Sequence, residues 1–322
     1  MIGTSALSNR IEPGSSPLVT GTTPLHFVNG LPPALLVLLS IVSIQISSAL
    51  ATFLFADLGP VGTTACSTLF AAIALTVMSR PRLDGRLRRH AGLLLIFGLT
   101  ETCLALPFFL SLQYIPLGIA STISFCGPLA LAVLTSRRPI DFLWIAVALT
   151  GVGLMTPTVG SHLHPLGLML AALSAVAWAV FVLLVQRLGR VFSGNDGLTF
   201  GMWSACLFLL PLAIGEAATG EGATGLGGLL QPAHHGFAMV IGLLGAAAVA
   251  LLNVVLPLSL EFKALQRMSA RSYGILMTVE PAIGAVIGLI WLGQGIDLRT
   301  SLAICCVTAA ALGVTLTDKH AN

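Results

Sequence analysis

Charge is what this sequence has least of. Only 8% of its 322 residues are Asp, Glu, Lys or Arg, where a soluble domain carries roughly a quarter. So few charges could not dress the surface of a soluble protein this long. Hydrophobic residues make up 56% and mean hydropathy is +0.97, which puts the chain in a bilayer. Other absences narrow the chemistry. No Walker A, GxSxG or HExxH pattern is present, which removes ATP-driven pumping within this chain and the commonest hydrolases. All seven histidines lie in loops or tails, so no His relay crosses the apolar runs and no metal site is indicated. Cys66, Cys103, Cys126, Cys206, Cys305 and Cys306 fall inside apolar runs without CxxC spacing and read as small buried residues. No cofactor is implied. A net charge of +3 is a weak argument for a nucleic-acid partner, and the placement of the charges argues against one.

What is present is long apolar runs, about ten of them and roughly 16 to 25 residues each, enough to span a bilayer or nearly so. They cover 34–55, 61–78, 92–112, 117–135, 142–155, 166–185, 198–214, 236–260, 273–292 and 298–317, the fifth being short. Of the 15 Lys and Arg, 14 fall in alternate loops and tails, with Arg299 alone on the other side. The positive-inside rule then places both termini in the cytoplasm. Residues 1–30 are rich in Ser, Thr, Pro and Gly with no signal-peptide core and read as a disordered cytoplasmic tail. The expected fold is an all-α polytopic membrane protein. Its ten helices form two five-helix repeats over 31–157 and 158–317, and 318–322 make a cytoplasmic tail. A five-helix unit that starts inside ends outside, so the second copy is inverted, as in many secondary transporters.

Polar residues inside the runs are the candidate site. In MSARSYGILMTVEPAIGAVIGLIWL, Glu280 sits near the middle with Pro281 directly after it. Both are expensive in hydrocarbon, because Pro281 frees the carbonyl of Met277 and Glu280 must be neutralised, paired or wetted. The stretch LGIASTISFCGPLALAVLTSRRP, with Gly127 before Pro128, echoes it in the first half. The two read as corresponding helices lining one cavity. In the first run, Ser40, Ser43 and Ser47 share a helical stripe near Gln45, either easing helix contact or forming a polar cavity wall. The third run carries Glu101 and Pro107 with no Lys or Arg in any run to pair with. Its carboxylate is either functional or carried by tilt to an interface. In the eighth, Pro257 frees the carbonyl of Asn253, whose amide either contacts a ligand or repairs the helix. Glu261 is expected to pair with Lys263 at the cytoplasmic end. Gly284 and Gly288 read as a packing motif, with the tenth run as a partner. Trp178, Trp203 and Tyr273 either line a cavity or anchor the interface.

The stretches SLQYIPLGIAS, CGPLALAVLTSRRPIDFLWIAVAL and LPLSLEFKALQRMSARSYGILMTVEPAIGAVIGLIWLG, with SIQ at 43–45 and WAVFVLLVQR at 178–187, resemble the EamA branch of the drug/metabolite transporter superfamily. The resemblance implies a ten-helix carrier of the bacterial inner membrane that is not an enzyme. It would export small polar metabolites, commonly amino acids such as threonine or homoserine, by alternating access driven by protons. Glu280 and Pro281 match the pattern. The exporters resembled carry a glutamate at the position of Ser124, an arginine at Ser67, an asparagine at Ala105 and a glutamate at Gln294. These departures read as a rewired cavity in which Glu101 is a carboxylate gained, and they predict poorer use of threonine and homoserine. On this reading Glu280 is the main titratable group and Glu101 a second. Asn253 and Gln45 offer hydrogen bonds to the substrate, and Ser124, Trp178 and Tyr273 complete the candidate set. The partners are a small-molecule substrate, protons and lipid, with oligomeric state open and a homodimer among the options. Two other classes compete. A membrane enzyme on lipid-linked substrates needs clustered Asp, His or Arg at one face, and only DGRLRRH comes near. A scaffold leaves the buried carboxylates unexplained.

Overall fold

The computed structural model describes residues 31–135, 139–154, 164–192, 196–219, 236–265, 267–268, 273 and 276–317. The expected tails, 1–30 and 318–322, lie outside them. Among the described residues the chain is helical, with no strand. Its elements are α1 (Pro33–Ser79), α2 (Gly85–Arg89), α3 (Ala91–Ser111), α4 (Leu117–Thr135), α5 (Pro139–Leu154), α6 (Pro165–Val191) and α7 (Asp196–Thr219). After these come α8 (Gly236–Ala250), a π-helical turn (Leu251–Val255), α9 (Leu256–Leu265), α10 (Glu280–Leu292) and α11 (Leu298–Thr317). Five helices are long and apolar enough to cross a membrane: Pro33–Ser79, Ala91–Ser111, Pro165–Val191, Asp196–Glu216 and Val240–Glu261. Shorter apolar helices run over Leu117–Leu131, Glu280–Leu292 and Leu298–Ala310.

The 47 residues of α1 would reach roughly 70 Å as one rod, more than twice the hydrocarbon thickness of a bilayer. The helix is broken at Gly59, whose φ of 64° and ψ of 168° lie in a region open only to glycine. Two legs result, 33–58 and 60–79, which is where the sequence placed two separate runs. Pro60 opens the second leg, where a missing N–H does no harm. Thr63 and Thr64 hydroxyls donate to the carbonyls of Gly59 and Pro60 at 2.7 and 2.6 Å, repairing the backbone around the break.

Packing is inside out relative to a soluble domain. Val77 and Met169 are each 70% exposed, while Ser40, Thr63, Thr122 and Ser174 are fully buried. The outer faces are the apolar ones, as lipid-facing helices require, and small polar residues fill the seams. Helix α4 lies at the centre. A Cβ on Gly127 would come within 1.9 Å of the Ala175 carbonyl oxygen, so α4 meets α6 backbone to backbone. On its other side a Cβ on Gly118 would sit 2.6 Å from the Ala285 Cα, which brings α10 equally close. The two proline-bearing helices expected to correspond, α4 and α10, thus pack directly against each other.

Two expectations about helix breaks need correction. The stretch 273–292 is not one continuous helix carrying a mid-span proline. A turn at 278–279 interrupts it and α10 begins at Glu280, which puts Pro281 in the first turn. There a proline costs nothing, because the first N–H groups of a helix have no internal partner. The Gly284 and Gly288 pair, expected against the last helix, instead faces α4 and α1: added Cβ atoms would meet Ser121 and Gln45, and Gln294 and Leu117. Pro107 and Pro128 do lie inside their helices, α3 and α4.

Candidate functional site

Glu280 is 5% exposed and sits at the start of α10, where unpaired backbone N–H groups favour a negative side chain. Gln45, on the first leg of α1, joins it to α4. The Gln45 amide N–H donates to Glu280 Oε1 at a long 3.5 Å, and Gln45 Oε1 accepts from the Ser121 hydroxyl at 3.2 Å. Gly284, one turn after Glu280, leaves the room this chain of bonds needs. A Cβ there would stand 3.0 Å from Ser121 Oγ and 3.1 Å from Gln45 Oε1. Among the described residues, Glu280 Oε2 and the Ser124 hydroxyl are buried without a hydrogen-bond partner. Ser124 follows Ser121 by three residues on α4, so a polar strip continues past Gln45. A half-satisfied carboxylate at a helix break, inside apolar packing, is a group held ready for a proton or a polar guest.

Glu101 lies elsewhere. It borders a small cavity of about 20 Å³ between the second leg of α1, α3, α7 and the π-helical turn, room enough for a single water molecule. Thr64, Ser67 and Thr68 reach it from one face of α1, Glu101 and Ala105 from one face of α3, and Asn253 from the π turn. Among the described residues Glu101 has no ion pair and no hydrogen bond. Asn253 is exposed, and it owes its position to Pro257. Without a proline N–H the backbone shifts into π register over Leu251–Val255, with the Leu256 N–H bonding the Leu251 carbonyl. The structure therefore brings Glu101 and Asn253 to one cavity and links Glu280 to Gln45 elsewhere, with Ser124 three residues past Ser121 on α4. The expectation that both carboxylates line a single cavity is corrected accordingly.

The serine stripe has a clear assignment. Ser43 donates to the Leu252 carbonyl at 2.6 Å, Ser47 to the Val249 carbonyl at 3.0 Å, and Ser40 to the Glu261 carboxylate. These bonds stitch α1 to the helix running from α8 through α9, so the stripe is a helix contact. Tyr273 donates to the second Glu261 oxygen at 2.8 Å. Both oxygens of Glu261 are therefore occupied by hydroxyls, whereas Lys263, two residues on, points from another side of the helix. Tyr273 belongs to this seam, and it lies near enough to Glu280 to feel its charge although no hydrogen bond joins the two. Trp178 packs edge-on against Phe125 at 6.2 Å within an apolar cluster with Leu129 and Val307, apart from both carboxylates. Gln294 accepts from the Leu117 N–H at 2.9 Å, capping α4. Ser121 and Thr64 were not singled out in the sequence. Their signal was only spacing, Ser121 one turn before Ser124 and Thr64 one turn before Thr68.

Comparison with known proteins agrees with this architecture. Residues 165–316 match the EamA-like transporter family. A threonine/homoserine exporter, RhtA, of Salmonella typhimurium is 37% identical over 290 residues, 89% of this chain and 92% of its own length. Its namesake in Escherichia coli strain K12 is 36% identical over 289 residues, again 89% and 92%. A solved crystal structure 16% identical superposes with a TM-score of 0.55 over 88% of this chain and 96% of its own, a likeness of fold alone. An apolar helical bundle with this degree of identity along nearly its whole length belongs to the EamA-like transporter family of membrane exporters.

Proposed function

We propose that the protein is a secondary exporter of small amine-bearing metabolites, with threonine-like and homoserine-like amino acids as the reference class. In this reading ten helices, as two inverted five-helix repeats with both termini in the cytoplasm, sit in a bacterial inner membrane and expose one site to alternate faces. Glu280 is the coupling group and Glu101 a second acidic group. The observation that carries the reading is the half-satisfied Glu280 carboxylate, buried at a helix break and held by one long bond to Gln45. A carboxylate in that setting exchanges its proton for other contacts when neighbouring helices move. Without a proton on Glu280, the bond to Gln45 and the start of α10 favour the closed contact seen here; with one, that hold weakens.

The test is flux of labelled threonine, homoserine and related amines in proteoliposomes with and without a pH gradient. The expected result is gradient-dependent flux that Glu280→Gln makes indifferent to pH. Normal pH-dependent flux in that variant would remove Glu280 from the coupling step. Absence of flux or counterflow for every compound would remove the carrier reading itself.

A further inference from the structure

We infer that the Glu101 cavity is a receptor for an organic ammonium group carrying no carboxylate of its own, so that the carrier favours simple amines over zwitterionic amino acids. This rests on the exporter reading and narrows its cargo. The argument begins with which atoms in the cavity have protons to give. The Thr64 hydroxyl has already donated to the Pro60 carbonyl at 2.6 Å, and the Ser67 hydroxyl to the Thr64 carbonyl at 3.0 Å. What these two side chains turn toward the cavity is lone pairs. Glu101 adds two carboxylate oxygens with no partner among the described residues, and Asn253 adds a carbonyl and the lining's only side-chain NH₂. No Lys, Arg or His lines the space. Thr68 keeps a hydroxyl that can donate or accept, so the lining has neutral donors in Thr68 and Asn253 but no cation to meet the Glu101 carboxylate. A guest that satisfies that carboxylate must bring positive charge, and an ammonium group brings three N–H and one charge.

Size and walls agree. About 20 Å³ is the room of one water-sized group, and an ammonium head is of that size. Phe109, Met202 and Val254 in the lining are apolar and offer nothing to the hydration shell of an inorganic ion. A zwitterion would bring a carboxylate into a space that already holds one, with no cation to meet it. Like charges close together in a low-dielectric site repel strongly, so the α-carboxylate that defines an amino acid is a liability here.

The test uses the full-length protein in detergent, with thermal unfolding as the readout, because a ligand that binds only the folded state raises Tm with concentration. The probes are n-butylamine, threonine methyl ester and threonine, each read at about pH 6, where the α-amino group is protonated, and again at about pH 7.5, where a buried carboxyl carries more of its charge, with NaCl against KCl as the inorganic arm. Butylammonium and the ester should raise Tm, threonine should need roughly tenfold more to match the ester, and Glu101→Gln should abolish the ester's advantage. Ser67→Ala, which removes one acceptor and leaves the carboxylate, should reduce it in part; it stands as the second variant if Glu101→Gln does not fold. Equal responses to ester and threonine, an unchanged ester response in Glu101→Gln, or stabilisation by sodium with none by amines would each overturn the inference. Flux separates it from the reading it rests on. Counterflow that treats ester and threonine alike sinks the inference and leaves the carrier. Ester binding without counterflow of any probe sinks the carrier and leaves the site.

Discussion

Glu280 and Glu101 are both carboxylates in apolar helices, and their neighbours differ in kind. Glu280 is held by one oxygen: Gln45 donates to it at 3.5 Å, Ser121 steadies Gln45, and the carboxylate sits at the positive end of α10 while its second oxygen has no partner among the described residues. Glu101 has no hydrogen bond or ion pair among the described residues and no cation in its lining, beside a space the size of one water. A carboxylate that already has donors in the protein is suited to lose and regain them as helices move. One that has none asks for them from outside. On the proposed reading, the same side chain serves coupling in one place and recognition in the other. The difference lies in which way the neighbouring hydroxyls spend their protons.

The largest effect that would break this contrast is expected at Gly284. Gly284→Val drives a branched side chain into Ser121 Oγ and Gln45 Oε1, already 3.0 and 3.1 Å from a bare Cβ. Overpacking of that sort costs about 1–3 kcal/mol, so thermal unfolding in detergent should shift downward while amine binding at Glu101 persists. Next comes Glu280→Ala, which leaves the buried Gln45 amide without its acceptor at about 1–3 kcal/mol; unfolding should come earlier and flux should lose its pH response. Gly59→Ala places a Cβ on a backbone of φ 64° and ψ 168°, a strain of about 1–3 kcal/mol. Because the second leg of α1 carries Thr64, Ser67 and Thr68, amine-induced stabilisation should suffer more than the Glu280 cluster does. If it does not, the Glu101 cavity is less dependent on that leg than its lining implies.

Asp297, outside the helices, is the exposed reference. Its carboxylate accepts from the Thr300 N–H at 2.8 Å at the start of α11, and bonds from Thr300, side chain first and backbone second, hold its carboxyl below the usual range. A depressed carboxyl contributes stability that is present above its unfolded value, near pH 4, and is lost as pH falls through the lower folded value. Asp297→Ala should cost about 1 kcal/mol as a lost cap, and the variant should show less acid sensitivity in that window. The smallest change is expected from Glu101→Gln without ligand. No protein partner is lost, so unfolding should move by no more than about 0.5 kcal/mol, as for a change that breaks no contact. A clear loss of stability would mean that Glu101 has a structural partner and that the two carboxylates are alike after all.

The sequence showed the bundle readily and its interior only in part. Membrane character and the separation of the first two runs followed from the apolar runs, which act locally. The disturbance at Asn253 was legible for the same reason: a proline's missing N–H must show within one turn. What the sequence could not give was which helix faces which. The pairing of Gln45 with Glu280 spans 235 positions, and nothing in either stretch points to the other. The serine stripe admitted two readings until α8 and α9 were seen against it. The start of α10 was misread because a proline inside a run and a proline opening a helix look the same in one dimension. Two of the four departures from the resembled exporters, Ser67 and Ala105, line the cavity that contains Glu101, whereas Ser124 continues the Gln45 strip and Gln294 caps α4. The four departures are therefore split evenly between the Glu101 cavity and the α4 side of the bundle.

The seam between the first leg of α1 and its neighbour has a mechanical meaning. Ser40, Ser43 and Ser47 fasten it at three levels, from Val249 to Glu261, while among the described residues one hydrogen bond, from Gln45 at 3.5 Å, ties that leg to α10. A shear of one turn along the fastened side must release three clasps together; on the other side a single stretched one lets go. Spin labels placed across each flank should report a fixed separation along the first and a variable one along the second. On the proposed reading, the leg and the 236–265 helices should travel as one plank, and the molecule should open on the flank that carries Glu280.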